Sequence, residues 1–170
     1  MNGQYLSRTA VEDLLPLVEP EMRRLGFDAA SVARERLARA IDVNRERART
    51  TMDIAERAAI RLDARFIKQD DDRAEKLIAK DPKTYYSSLQ AVLGRLAQID
   101  ESDWQPKRLE SELRSLAETL GVAPGKVFQP IRIAITGTTV SEGIHLLLDV
   151  VGRQESLARI EEAAKGAKRR

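Results

Sequence analysis

Arginine is the residue type with the most chemistry to offer in this chain, and that chemistry is recognition rather than reaction. Between Val32 and Arg49 stand Arg34, Arg36, Arg39, Arg45, Arg47 and Arg49, against Glu35, Asp42 and Glu46. A second basic island, Val150 to Arg170, sets Arg153, Arg159, Lys165, Lys168, Arg169 and Arg170 against Glu155, Glu161 and Glu162. Two such islands in a chain of net charge +2 and pI near 9.0 fit either a polyanion partner or solvated helix faces.

Residues for making and breaking bonds are not arranged to do so. The single histidine, His145, has no cysteine or second histidine with which to share a metal, and it reads as a helix-face residue between core positions. With no cysteine at all, disulfides, zinc ribbons and thiol catalysis are excluded. Carboxylates are plentiful, but they sit at helical ion-pair spacing, as Glu110 does with Arg114. Gly125-Lys126 lacks the upstream glycine of a phosphate-binding loop. No catalytic constellation emerges, which favours a binding module over an enzyme acting alone.

The elements that must position the arginines are helical almost throughout. Thr9 with Glu12 spells a capping box ahead of Val11, Leu14, Leu15, Val18, Met22 and Leu25. Pro16 and Pro20 inside that pattern should kink or split it, and Gly26 should close it. Ser31 is expected to cap a helix carrying Leu37, Ala40 and Ile41, and a further helix runs from about Thr51 to Phe66. Gln69-Asp70-Asp71-Asp72 breaks the pattern and is the expected internal joint. Beyond it, Leu89 to Ile99 and Leu109 to Leu120 repeat at three and four residues, separated by a loop around the only tryptophan, Trp104, and Gly121 ends the second of these helices. Val127 to Ile135 is rich in β-branched residues and fits a strand or a buried helix equally. Ser141 with Glu142 is expected to open a helix that Gly152 stops, and a last helix precedes the basic tail. The class is all-α.

Bulk properties agree with a folded, water-exposed chain. Its 170 residues, 42% of them hydrophobic, suffice for one medium domain or two small ones. The Ile144–Val151 run is too short to span a bilayer, and the Met-Asn-Gly-Gln start carries no signal pattern. The expectation is a soluble, cytoplasmic monomer with no membrane partner.

Three ordered fragments carry a resemblance. Asn2-Gly3-Gln4-Tyr5 looks like an "Asn-Gly-x-Tyr" motif. Arg45-Glu46-Arg47-Ala48-Arg49-Thr50, followed by Asp53, looks like an arginine-containing recognition segment. Most specific is Gly125-Lys126-Val127-Phe128-Gln129-Pro130-Ile131-Arg132-Ile133-Ala134-Ile135-Thr136-Gly137, close to a "Gly-Lys-x-x-Gln-Pro-Leu-Arg-x-Ala-Leu-Thr-Gly" hallmark. Together they resemble the C-terminal anticodon-binding region of bacterial-type glutamyl-tRNA synthetases, in order and over essentially the whole chain. Ser141-Glu142-Gly143-Ile144 departs from the family's small-Pro-Gly-Leu stretch by losing the proline, and Thr51 stands where the family usually has leucine.

The resemblance implies two small helical subdomains forming a cage around an anticodon loop. Residues 1–8 would be a remnant of the linker from the catalytic half, 9–70 the first subdomain, and 71–170 the second with its basic tail. It implies tRNA(Glu) as partner, together with the synthetase's catalytic domain in cis or in trans. The "His-x-Gly-His" and "Lys-Met-Ser-Lys" signatures belong upstream of residue 1, so this segment would hold no cofactor, while the parent enzyme would use ATP and Mg. Arg47 matches the position that reads the third anticodon base. Arg132 matches a base-contacting arginine, and Ser141, Glu142 and Ile144 match the turn and helix start that line the pocket for the first bases. Arg45, Arg49, Lys126 and Arg153 are the expected phosphate contacts. Gln129, Pro130, Trp104 and Phe128 read as determinants of the fold. A second reading stays open: a free-standing, synthetase-derived helical adaptor that binds a protein.

Overall fold

The computed structural model describes residues 3–166. Met1 and Asn2 of the opening motif, and Lys168, Arg169 and Arg170 of the basic tail, lie outside the described residues. Among those described, every regular element is helical. The chain divides into two compact units, Met1–Phe66 and Ile67–Arg170. The seam falls ahead of the Gln69–Asp72 cluster because the backbone there already belongs to the second unit: the Lys68 amide donates to the Thr136 carbonyl at 3.2 Å.

In the first unit, α1 (Gly3–Arg8), α2 (Val11–Arg24), α3 (Arg34–Arg45) and α4 (Thr51–Leu62) surround one apolar centre. Leu14, Leu15, Val18 and Met22 recur on one face of α2 and are buried against α3 and α4. Ala55, Ala58 and Ala59 of α4 are fully covered, and their small side chains let the helices come close. Pro16 and Pro20 do not split α2, contrary to the sequence expectation. Both are exposed, so the carbonyls they leave unbonded lie on the solvent side, where water can serve them. The expected capping box at Thr9 does not form either. Thr9 Oγ1 donates to the Tyr5 carbonyl at 2.7 Å, because Thr9 finishes α1 instead of starting α2. Nor does Ser31 cap α3, whose first flanking residue is Ala33 with no side-chain cap; Ser31 closes a short 3-10 turn begun by Asp28. Gly26, at φ +84°, does end α2 as a left-handed cap, with Phe27 N–H reaching Met22 O at 2.9 Å.

The second unit contains α5 (Asp72–Lys80), α6 (Pro82–Leu96), α7 (Pro106–Leu120), α8 (Gly125–Thr136), α9 (Ile144–Val151) and α10 (Arg153–Lys165). Helix α6 is central and packs on α7, α8 and α10. Leu89, Val92, Leu96, Leu109, Leu113, Ile131, Ile135, Leu147 and Ile160 form its fully buried centre. Trp104 closes one end, its indole N–H donating to the Leu148 carbonyl at 3.0 Å. The ambiguous Val127–Ile135 run is helix α8, which the φ +78° of Gly137 ends. A Cβ on Gly137 would stand 1.9 Å from Lys68 O, so the incoming strand of chain at Lys68 demands glycine there.

Candidate nucleic-acid interface

Each unit presents arginine in its own way. In the first, five residues, 46–50, connect α3 to α4. Thr50 caps α4, accepting the Asp53 amide at 3.0 Å, while Asp53 reaches back to the Arg49 amide at 2.9 Å. This pair is a variant of the capping box, with aspartate at its third position bonding the amide one residue before the cap, and its Thr-x-x-Asp spacing is legible in the sequence. Ala48 is buried between exposed Arg47 and exposed Arg49. Gly3 supports the connector closely, since a Cβ there would lie 3.1 Å from Ala48 O. The guanidinium of Arg47 makes no hydrogen bond or ion pair among the described residues; only its backbone amide is held, by the Asn44 carbonyl at 3.2 Å.

Arg45 is different. Its Nη1 donates to the Thr9 carbonyl at 2.7 Å and its Nε pairs with Asp42 at 3.0 Å, which fastens the end of α3 to the α1–α2 junction. The same residue type two positions apart therefore braces the fold at 45 and stands open to a ligand at 47.

In the second unit the site residues converge where α8 meets the loop that leads to α9. Arg132 is half-buried, with Nε donating to Ser141 Oγ at 2.7 Å and Nη1 to Gln129 Oε1 at 2.6 Å. Ser141 passes its own hydrogen to the Glu142 carbonyl at 2.8 Å. Gln129 is braced in turn, its amide donating to the Thr139 carbonyl at 3.3 Å. Thr136 Oγ1 binds the Arg132 carbonyl at 2.7 Å and accepts the Thr138 amide at 3.1 Å, shaping the turn after α8. Gln129 thus positions Arg132, a role the sequence reading missed by taking it only as a fold determinant. Its i, i+3 relation to Arg132 was the signal that could have shown it.

Glu142 and Ile144 are buried, so Ile144 serves the core with its side chain and can offer a ligand only backbone. Helix α9 starts at Gly143, which has no side chain to cap it and whose carbonyl accepts the Leu146 and Leu147 amides at 3.0 Å. Lys126 is exposed in the first turn of α8. Arg153 is engaged: Nε donates to Ile99 O at 2.7 Å and Nη2 to Ala97 O at 2.9 Å, covering the carbonyls that follow α6. Trp104 is core, whereas Phe128 is half-buried beneath the Arg114 guanidinium, 5.7 Å from its ring centre. Among the described residues no cluster of His, Cys, Asp or Glu could hold a metal, and no helix is long and apolar enough to cross a membrane.

Residues 10–164 match the family model described as "Anticodon binding domain". The chain belongs to that family. It is 33% identical over 165 residues to the glutamate–tRNA ligase of Syntrophobacter fumaroxidans, covering 97% of this chain and 34% of that protein. Glutamate–tRNA ligase 1 of Sphingopyxis alaskensis is 35% identical over 164 residues, covering 96% of this chain and 33% of that protein. The match is thus to the anticodon-binding domain of bacterial-type glutamate–tRNA ligases, and the chain spans about a third of the length of these relatives. A crystal structure of a glutamate tRNA ligase from Elizabethkingia meningosepticum superposes with a TM-score of 0.79 at 24% identity, covering 96% of this chain and 31% of that one. That likeness establishes the all-α fold.

Proposed function

We propose that this chain recognises the anticodon of tRNA(Glu), as the anticodon-binding part of a glutamate–tRNA ligase. The observation that carries the reading is the 33% identity to such a ligase along 97% of the chain. The site chemistry supports it. Unpaired anticodon bases are splayed out, read on their Watson–Crick edges and stacked on aromatic or guanidinium planes. Only 4% of the residues are aromatic, so guanidinium planes carry more of that task.

Arg47 reads the third anticodon base. A guanidinium has donors only, so it suits the acceptors of cytosine and is mismatched to the donor groups on guanine's Watson–Crick edge. That choice favours glutamate over glutamine tRNA. Arg132, with the Ser141–Ile144 segment, receives the first bases through one fixed guanidinium and the backbone groups before and at the start of α9. Arg49 and Lys126 are the better-placed phosphate contacts, because Arg45 and Arg153 already hold carbonyls. The units Met1–Phe66 and Ile67–Arg170 act as the two anticodon-binding subdomains. Attachment of glutamate, with ATP and Mg, belongs to a catalytic domain working with this one in cis or in trans.

The test is binding of the chain to fluorescent anticodon stem–loops at several salt concentrations. The glutamate stem–loop is expected to bind more tightly than one whose third anticodon base is changed from C to G, by roughly 5- to 100-fold, the worth of a single good base contact. Equal binding of every hairpin regardless of anticodon would overturn the reading.

A further inference from the structure

Beside the Arg132 station lies a cleft that the anticodon reading uses only at its Lys126 and Gln129 edge. It encloses about 740 Å³, a size typical of small-ligand sites. Helix α5 contributes Lys76, Leu77 and Lys80, the start of α6 contributes Asp81, Thr84 and Tyr85, and Lys126, Gln129 and Pro130 come from α8. The apolar part is Leu77, Tyr85 and Pro130. The rim carries three lysines, none with an ion-pair partner within 4 Å among the described residues. Against them stands one carboxylate, Asp81, which is occupied in capping α6 through the Thr84 amide at 3.1 Å. That bond and the nearby Lys126 and Lys83 hold its carboxyl below the ordinary aspartate range, so it stays ionised and does not swing away as an acid donor.

Tyr85 adds a hydrogen-bonding group to the charge of the lysines. It is only 5% exposed and it lines the cleft, yet its hydroxyl has no hydrogen-bond partner among the described residues. The phenol oxygen is not among the sealed, unpartnered polar atoms of the described residues, so it opens onto the cleft, where water or a ligand can take its hydrogen. Burial, reinforced by Tyr86, pushes that phenol up from its ordinary value, which keeps its hydrogen available to donate. The surroundings therefore combine an apolar floor, a donor at its edge and cationic groups at the mouth. Gln129 ties the cleft to the station next to it, since the side chain that lines the cleft also receives Arg132 Nη1.

We propose that this cleft takes one further unpaired nucleotide of the bound RNA, with its base over Leu77, Tyr85 and Pro130 and its phosphate among Lys76, Lys80 and Lys126. The proposal rests on the anticodon reading for the identity of the RNA, and it adds a subsite that contributes affinity without reading the anticodon. A base edge accepts from the Tyr85 hydroxyl, and lysine ammonium groups meet the phosphate as point charges.

The experiment measures binding of the whole chain to the glutamate stem–loop, and to its C-to-G variant, across a salt series. The double variant Lys76→Gln/Lys80→Gln, at exposed positions, is expected to bind about tenfold more weakly, with the salt slope reduced by about 0.7 for each phosphate no longer neutralised. Tyr85→Phe keeps the ring and the charge, and is expected to lose about 3- to 10-fold with the salt slope unchanged. Both variants should keep the wild-type preference between the two stem–loops. If wild-type shows that preference but neither variant weakens binding, the cleft is overturned and the anticodon reading stands. If wild-type shows no preference, the anticodon reading falls, and the same two variants still report whether RNA enters the cleft. A loss with the lysine pair and none with Tyr85→Phe means diffuse attraction only and overturns the subsite. Cytidine 5′-monophosphate is the free-nucleotide probe: protection of Tyr85 by it, with RNA affinity indifferent to both variants, would assign the cleft to a small metabolite instead and overturn the proposal.

Discussion

Arg47 and Arg132 offer the same functional group from opposite starting conditions. Arg132 is held before any ligand arrives, by Ser141 on one side and by Gln129 on the other. Arg47 stands exposed on a five-residue connector whose backbone is fixed by Ala48, Thr50 and Asp53, while its guanidinium has no hydrogen-bond or ion-pair partner among the described residues. A braced arginine has already lost its rotamer freedom, so a base contact there is bound without that cost. An unbraced one must be ordered on binding, at about 0.5–1.5 kcal/mol for a side chain of this kind. The comparison teaches a division of labour. The second unit should supply affinity through a rigid receptor, and the first should supply discrimination through one contact that forms only with the right base.

The largest effect should come from breaking the frame of the rigid station. Gly137→Ala places a Cβ against the Lys68 backbone at a residue with φ +78°. Backbone contact and left-handed strain together should cost about 3 kcal/mol or more. Thermal unfolding should show a clear drop in the second unit's transition, with RNA binding weakened in parallel. Unchanged melting would mean that the turn after α8 gives way easily and that the station is not rigid.

Next in size is Arg132→Lys. Lysine keeps the charge but cannot span Gln129 Oε1 and Ser141 Oγ with a planar fork. Affinity for the glutamate stem–loop should fall about 5- to 150-fold, in line with about 1–3 kcal/mol for a base contact, while melting stays near wild type. Rescue by lysine would show that only charge matters there and would erase the contrast with Arg47.

Arg47→Gln sharpens the comparison from the other side. Glutamine carries both a donor and an acceptor, so it no longer excludes guanine's edge. Affinity for the glutamate stem–loop should fall by less than tenfold, and the preference for C over G at the third base should largely disappear. Stability should be unaffected, because the guanidinium makes no hydrogen bond or ion pair among the described residues. Titration of both stem–loops checks this, and a retained preference would move discrimination elsewhere.

The degree to which these sites were legible in the sequence follows the same contrast. Local geometry was readable where one residue decides it. Gly26 and Gly121, at φ +84° and +65°, end α2 and α7 because a left-handed cap needs no Cβ. The all-α class followed from spacing repeated over many turns. What failed depended on neighbours that spacing does not reveal. Thr9 looked like a helix start because α1, which it terminates, was not foreseen. Pro16 and Pro20 looked like breaks because their solvent-facing orientation is a tertiary fact. The β-branched run of α8 was undecidable locally, and its burial against α6 settles it as helix. At the interface, the arginines could be named from their types and from the resemblance. Which of them are free could not. Arg45 and Arg153 spend their donors on Thr9, Ala97 and Ile99, residues 36, 56 and 54 positions away in sequence.

The smallest expected effect tests the bracing alone. Ser141→Ala removes the hydroxyl that receives Arg132 Nε and donates to the Glu142 carbonyl. The guanidinium keeps its bond to Gln129, so it loses restraint but not its place. One neutral acceptor in a half-buried site is worth about 0.5–1.5 kcal/mol, part of which water will restore. Affinity for the glutamate stem–loop should therefore fall about 2- to 5-fold, with most of the change in the dissociation rate, since the encounter is set by charge that the variant leaves intact. The C-to-G preference should not change, because Arg47 is untouched. A variant with wild-type affinity would show that Arg132 gains nothing from being held in advance. The two arginines would then differ in surroundings but not in function.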